Sequence, residues 1–297
     1  MSTSLKQLFL RAALVLGLIG SSVAAHAQAN RIQGRIVAAQ VSGTVTALNR
    51  ADNTSTALAA GVEIKQNYVV TTGANSSAVL VFSNGASLLV AEDTVLSIDE
   101  FLQEPFSGEN VVAESKAEPS TSTTKLNVVR GELVANVKKL NRDKGSKFEV
   151  LTPIGAAGVR GTVFRIVVRA DANGQVTFSL ATSEGEVLLS GLDGTNIPVE
   201  AGKEVTVDFH GTVDENGNIS IGMVRLSGSA AKDLSGDAKS AIVNSISAVE
   251  TALENLTLTL SPDTETVQSA VDPNNPNTNQ NQNQNDDINE RPNSPIR

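Results

Sequence analysis

Thr152-Pro153-Ile154-Gly155-Ala156-Ala157-Gly158-Val159-Arg160-Gly161-Thr162-Val163-Phe164 is the stretch on which the reading of the fold turns. Pro153 fixes its own φ and pushes Thr152 toward extended geometry, while Gly155, Gly158 and Gly161 permit bends that residues with side chains resist. The run that follows, Thr162-Val163-Phe164-Arg165-Ile166-Val167-Val168, is rich in β-branched and aromatic residues and reads as a strand. Arg160 stands between bend and strand. Its five-donor guanidinium can tie loop carbonyls together or receive a carboxylate. The motif shapes backbone and carries little reactive chemistry.

The same kind of sequence extends on both sides. A hydrophobic residue, a variable one, glycine, Thr or Glu, and an aliphatic recur at residues 41–45, 129–133 and 159–163, with looser copies at 183–187 and 210–213. From Gly131 onward the glycines of this recurrence are 30, 24 and 26 residues apart, a spacing that suits irregular coils or successive hairpins. Gly61, Gly73 and Gly85 fall twelve residues apart, the rhythm of strand, turn, strand. Asn84-Gly85, Asn173-Gly174, Asp193-Gly194 and Asn216-Gly217 suit primed hairpin turns, whose central residues need positive φ. Phe82, Phe148, Phe164, Phe178 and Phe209 each sit among aliphatic neighbours and are expected in the core. The expectation is an all-β domain over residues 36–226.

Four stretches in order resemble the FecR domain, a bacterial envelope module best known from the periplasmic half of iron-uptake regulators. They are Val41-Ser42-Gly43-Thr44-Val45, the hairpins from Gly61 to Gly85, Leu126-Asn127-Val128-Val129-Arg130-Gly131-Glu132-Leu133, and the proline-to-arginine motif. The resemblance covers roughly residues 36–209. It implies a β-solenoid or stacked β-sheet module that works by protein–protein interaction or ligand sensing. Regulators of the family carry a cytoplasmic anti-sigma segment and a membrane span before the domain. Here a secretory signal peptide is read instead, so the resemblance bears on fold and compartment more than on signalling to a sigma factor.

That signal peptide is read from Lys6 and Arg11, which precede the apolar run at residues 12–19, and from the small-x-small site Ala25-His26-Ala27. Cleavage is expected after residue 27, giving an exported chain, periplasmic or extracellular, with residues 28–35 as a linker. No later segment is long and apolar enough to span a bilayer. The chain has 297 residues, 23 Lys and Arg against 32 Asp and Glu, and no cysteine. Without residues 1–27, which hold two of the basic residues and no acid, 21 basic face 32 acidic side chains, a net charge of −11. Such acidity disfavours nucleic acid and anionic membranes as partners. The missing cysteines exclude disulfides and thiolate metal sites.

Residues 102–124 turn to Glu, Ser, Thr and Pro and read as a solvated acidic loop insertion. Past Ser227 the period switches: Leu234, Ala238, Ile242, Ile246, Val249, Leu253 and Leu256 place one apolar stripe along a helix within residues 228–260. The stripe docks either on its own β domain or, by self-association through residues 234–256, on a second chain. Residues 261–297, rich in Asn, Gln and Pro, are expected to be a disordered tail.

The sequence supports no catalytic, cofactor or metal site. After signal cleavage His210 is the sole histidine, beside a turn at Phe209-His210-Gly211, with no Gly-x-Ser-x-Gly elbow. The pairs Glu92-Asp93 and Asp214-Glu215 are not placed across a pocket by any pattern. Asp171-Ala172-Asn173-Gly174 and residues 214–218 lack the full spacing of a calcium loop and read as hairpin turns. With no tryptophan and only Tyr68 besides phenylalanine, the chain lacks the usual stacking platforms for sugars. The residues singled out are Pro153, Gly155, Gly158, Arg160, Gly161 and Thr162 of the motif, with Gly131 and Gly85, all in shaping roles; Arg160, and Arg130 more weakly, are the candidates for receiving an anion. The expected function is non-enzymatic contact with an envelope protein or ligand. The alternative is a surface or matrix protein that uses the β module as a spacer and the helix for assembly.

Overall fold

The recurring glycines mark the places where the chain leaves one β-sheet and enters another. The computed structural model describes residues 31–106, 115–171, 173–214, 219–222 and 224–254. The expected signal peptide (residues 1–27), the expected C-terminal tail (residues 261–297) and the expected Asn216-Gly217 turn lie outside the described residues. In sheet A the strands run β4 (Thr54–Ala57), β3 (Val45–Asn49), β6 (Tyr68–Thr72), β9 (Val95–Gln103), the first part of β10 (Ser122–Asn136), β11 (Lys147–Thr152), β12 (Gly155–Val159), β15 (Glu186–Gly191) and β16 (Asn196–Glu200). Short β1 (Ile32–Gln33) continues the β6 edge of β9. Sheet B runs β5 (Glu63–Ile64), β2 (Ile36–Ser42), β7 (Ser77–Phe82), β8 (Ser87–Val90), the second part of β10, β13 (Val163–Ala170), β14 (Gln175–Glu184) and β17 (Lys203–Val213). Strands β18 (Ile219–Ile221) and β19 (Lys232–Asp233) add to β17.

Strand β10 belongs to both sheets, and Gly131 is its corner. Residues 122–130 pair with β9 and residues 131–136 with β8 and β13. Gly131 has φ +97°, and a Cβ there would lie 2.3 Å from the Thr94 hydroxyl oxygen and 2.4 Å from its Cα. The same hydroxyl accepts a hydrogen bond from the Glu132 N–H at 2.9 Å, so the corner is both tight and stitched. Gly43, Gly161 and Gly185, also at positive φ, stand at the β2–β3, β12–β13 and β14–β15 crossings. The fifth copy of the pattern is no corner: Gly211 lies within β17, opposite Ile221.

Among the described residues every strand pair is antiparallel except β10 with β11. Stacked sheets, of the two expected all-β architectures, are therefore what forms. The hairpin turns differ from the primed type. At Asn84-Gly85, Asn173-Gly174 and Asp193-Gly194 the glycine N–H bonds to a carbonyl three residues back (Phe82, Asp171, Gly191), and the next residue closes the pair. This is a type I turn followed by a glycine bulge, which needs left-handed backbone at the glycine alone; Asn84 and Asp193 keep negative φ. Asn84 is thereby freed to point inward, where its amide donates to the Ser122 and Thr124 hydroxyls at 3.1 and 3.2 Å.

The facing sides of the sheets form one core. Alternate residues such as Phe164, Ile166 and Val168 on β13 and Val176, Phe178 and Leu180 on β14 are fully buried against Leu96, Ile98, Leu126 and Val128 of sheet A. Each such side chain contributes about 1.5–3 kcal/mol. Of the five phenylalanines expected inside, four are buried and Phe209 is partly so. Phe101, just before the segment read as an acidic loop, is fully buried and meets the Phe82 ring edge-on at 5.0 Å.

Three boundaries move. The expected linker 28–35 is structured from Arg31, because Ile32 and Gln33 pair with β9 and Gly34 packs on the Phe101 ring. The insertion 102–124 narrows to residues 104–121 between β9 and β10, and its returning limb is not solvated: Glu118 and Thr121 are buried. The helix α1 is Gly236–Glu254; residues 255–260 lie outside the described residues. Val249 and Ala252 of α1 pack on Val37, Val79 and Val81, and Ala238 and Ile242 on Val163 and Ala181, all on the outer face of sheet B. The stripe from Leu234 to Leu253 is thus satisfied within the chain. Of the two expected modes, the described part of the helix takes the first, docking on its own β domain.

The corner geometry yields a contrast. Gly131→Ala should destabilise the protein by about 2–4 kcal/mol, from positive φ and overpacking combined. Gly158→Ala should leave stability unchanged or raise it by up to about 1 kcal/mol, because a Cβ there meets nothing nearer than the Leu188 carbonyl at 3.9 Å. Urea denaturation of the two variants measures both.

Candidate functional site

The outer face of sheet A carries a basic groove whose rows are set by strand register. Side chains at alternate positions point outward, so Lys125 of β10 lies beside Glu149 of β11, then Gly158 of β12, then Leu188 of β15. One row along, Thr123 faces Lys147; on the other side Asn127, Leu151, Ala156 and Ser190 form the next row. A 3-10 turn (Arg142–Lys144) ending at Gly145, in left-handed backbone, overhangs this surface. Sheet and turn enclose a groove of about 680 Å³.

Among the described residues six cations line it, Arg31, Lys125, Arg142, Lys144, Lys147 and Arg160, against two carboxylates, Glu100 and Glu149. Arg31 is anchored, donating to the Thr123 hydroxyl and to the Gly145 carbonyl at 3.2 Å. Arg160 pairs with Glu186 at 2.9 Å. Lys125, Arg142, Lys144 and Lys147 have no ion-pair partner among the described residues. In a chain of net charge −9, these four unpaired positive charges share one depression.

A buried carboxylate fastens the groove's wall. Glu118, 4% exposed, accepts hydrogen bonds from the Ser122 hydroxyl at 2.7 Å, the Ser146 hydroxyl and the Asn141 N–H. These tie the returning limb of the insertion to β10 and to the turn that carries Arg142 and Lys144. Burial pushes the Glu118 carboxyl above its ordinary value of 4.5, while those hydrogen bonds and the nearby Arg31 charge pull the other way.

The residues singled out from sequence fall into separate places. Pro153 makes the β11–β12 hairpin, with the Thr152 hydroxyl donating to the Gly155 carbonyl at 2.9 Å. Gly155 is required by contact, since a Cβ would lie 2.2 Å from the Ser190 carbonyl. Gly158 permits no bend: it is an ordinary strand residue whose missing side chain leaves the groove floor low. Gly161 is a sheet crossing, and Thr162 fastens it with two backbone bonds to Val137 and a hydroxyl donated to the Glu186 carbonyl at 3.0 Å. Gly85 turns the β7–β8 hairpin and Gly131 bends β10, both away from the groove lining. Arg130 lines a separate cleft of about 410 Å³ with Glu92, Asp93 and Arg169. In the basic groove the structure brings together Gly158 and Arg160 of the eight, while Pro153 and Gly155 line an adjoining groove.

What the sequence reading missed is the lysine-rich wall. Residues 138–147, Lys-Lys-Leu-Asn-Arg-Asp-Lys-Gly-Ser-Lys, hold five basic side chains and one acid, and that run was the available signal. His210 lies on β17 opposite Gln175, outside the groove. Asp171 caps its own turn, accepting from the Asn173 and Gln175 N–H groups at 2.9 and 2.8 Å, and these bonds hold its carboxyl below the ordinary value. Among the described residues no cluster of three or more His, Asp or Glu is arranged to hold a metal ion.

Two measurements follow from this geometry. Arg160 ties no loop carbonyl among its described contacts; its pair with Glu186 is 41% and 36% exposed, so Arg160→Ala should cost less than about 1 kcal/mol in a thermal melt. For Glu118, a folded value raised above the unfolded one makes its contribution most favourable below 4.5 and lost as pH rises through the folded value. Glu118→Gln should remove that part of the slope, seen as a flatter plot of denaturation midpoint against pH above 4.5.

Residues 68–188, from β6 to β15, match the family model described as FecR protein. No curated protein matches the chain significantly. Among solved structures, two crystal structures of a protein assigned as an anti-sigma factor from Parabacteroides distasonis ATCC 8503, at 1.65 and 2.50 Å resolution, are similar at 14% identity. Their TM-scores are 0.38 and 0.37; each similarity covers 59% of this chain and 64% or 63% of that one, under two thirds of its length. The matched family span holds the Pro153–Arg160 motif, the shared strand β10 and the basic turn, and it is this part of the chain, residues 68–188, that matches a FecR domain.

Proposed function

We propose that this chain is an exported, non-catalytic contact module of the bacterial envelope, whose FecR domain offers the groove of sheet A to a protein or ligand. The observation that carries the reading is the set of unpaired cations, Lys125 and Lys147 on hydrogen-bonded strands and Arg142 and Lys144 on the turn that Glu118 fastens. Rigid strands hold side chains in place more firmly than loops do, so a contact surface built on them binds with little ordering cost. Envelope location rests on the basic, apolar and small-residue pattern of residues 1–27, and on the compartment in which the family is known. Among the described residues no helix is long and apolar enough to cross a membrane. The spacer-and-assembly alternative is weakened because α1 spends its apolar stripe on sheet B.

Site-specific photocrosslinking in intact cells tests this. A benzophenone amino acid at Lys147 or Leu188, both on the groove, should give discrete crosslinked species, and one at Thr56 on the exposed strand β4 should not. Equal yields at all three positions, or none at any, would refute the reading. Recovery of the protein in the cytosolic fraction would refute its envelope part.

A further inference from the structure

We infer that the groove of sheet A takes an acidic, extended segment of a partner polypeptide, lying along the strands. This deepens the contact reading and rests on it. Charge selects the class of partner. Four of the six lining cations, Lys125, Arg142, Lys144 and Lys147, are unpaired among the described residues, and they come from two strands and the overhanging turn. Carboxylates brought to them restore opposite-charge contact at little desolvation cost, because Arg142, Lys144 and Lys147 are exposed.

Register selects the shape. Successive outward rows on a strand are about 6.6 Å apart, which is also the spacing of alternate side chains in an extended peptide. A segment parallel to β10 and β11 therefore sets one side chain over the Thr123–Lys147 row, the next over Lys125–Glu149 and the next over Asn127–Leu151. Beyond that row the surface loses its charge. An adjoining groove of about 480 Å³ is lined by Val129, Leu151, Leu192, Ile219 and Ile221 with neighbouring small residues, and Leu192 is 62% exposed. The segment that fits carries carboxylates at one end and an aliphatic side chain at the other. A nucleic acid fits worse: the chain's charge of −9 opposes a long polyanion, and the one aromatic side chain lining the groove, Phe148, is buried and offers no stacking face.

The test is fluorescence anisotropy with the whole purified protein. Its probe is a labelled peptide of about eight residues that alternates Glu and Thr and ends in Val-Leu. The expected result is binding that weakens at least about tenfold between 50 and 500 mM NaCl, and at least about tenfold in Lys125→Glu/Lys147→Glu. Arg142→Glu/Lys144→Glu, both exposed on the turn, gives a second charge reversal that does not disturb a strand. A version of the peptide with Gln for Glu should not bind. Equal binding of that Gln peptide, or unchanged binding by both charge-reversed proteins, overturns the inference. Tighter binding of a single-stranded oligonucleotide, or displacement by millimolar inorganic phosphate, overturns the partner class. If no peptide binds while groove positions still crosslink selectively in cells, the acidic segment is wrong and the contact surface stands; if both fail, both fall.

Discussion

A threonine hydroxyl packed against a strand that has no room for a Cβ holds the two halves of this molecule together. At Gly131 the chain must bend out of sheet A and into sheet B without breaking its ladders, and Thr94 fills the space a side chain would take while bonding the next residue's backbone. Because β10 pairs on both sides of that bend, with β9 and β11 before it and β8 and β13 after it, the relative placement of the sheets is set by this one corner more than by any loop. Burial between the sheets supplies the free energy; the corner dictates which faces are buried.

The groove inherits its precision from that arrangement. The parallel pairing of β10 with β11 places Lys125 and Lys147 one row apart, and the hairpin at Pro153 returns β12 so that Gly158 continues the Lys125 row and Ala156 the row of Asn127 and Leu151. Glu118 reaches across from the insertion to fix the turn bearing Arg142 and Lys144, accepting hydrogen bonds in place of water. The electrostatic character of the surface thus depends on a carboxylate that is itself hidden from it. On the opposite face of the molecule α1 seals the aliphatic side chains of sheet B, leaving the groove of sheet A as the more open of the two faces.

Much of this was legible in residue order alone. Alternating apolar positions, glycine-bearing turns and the small-residue motif specified an all-β body, and the change of period after Ser227 specified one helix, because each of these signals is local. The hairpins were legible as turns but not as turn types, since Asn-Gly serves both primed turns and glycine bulges and the closing hydrogen bond decides between them. Gly158 read as a bend for the same reason: glycine permits positive φ without requiring it. The insertion read as solvated because composition counts Glu118 as a surface residue, whereas three donors brought from residues 122, 141 and 146 satisfy it inside.

Residue order by itself determined the all-β class of the fold and the one helix after it, which follow from backbone preference and period over a few residues. Tertiary structure alone decided which cations share a surface, since Arg31, Lys125, Lys147 and Arg160 are separated by up to 129 positions and meet only through strand register. It also decided that the helix stripe is consumed within the chain, because an amphipathic pattern states that a face must be covered and says nothing of what covers it.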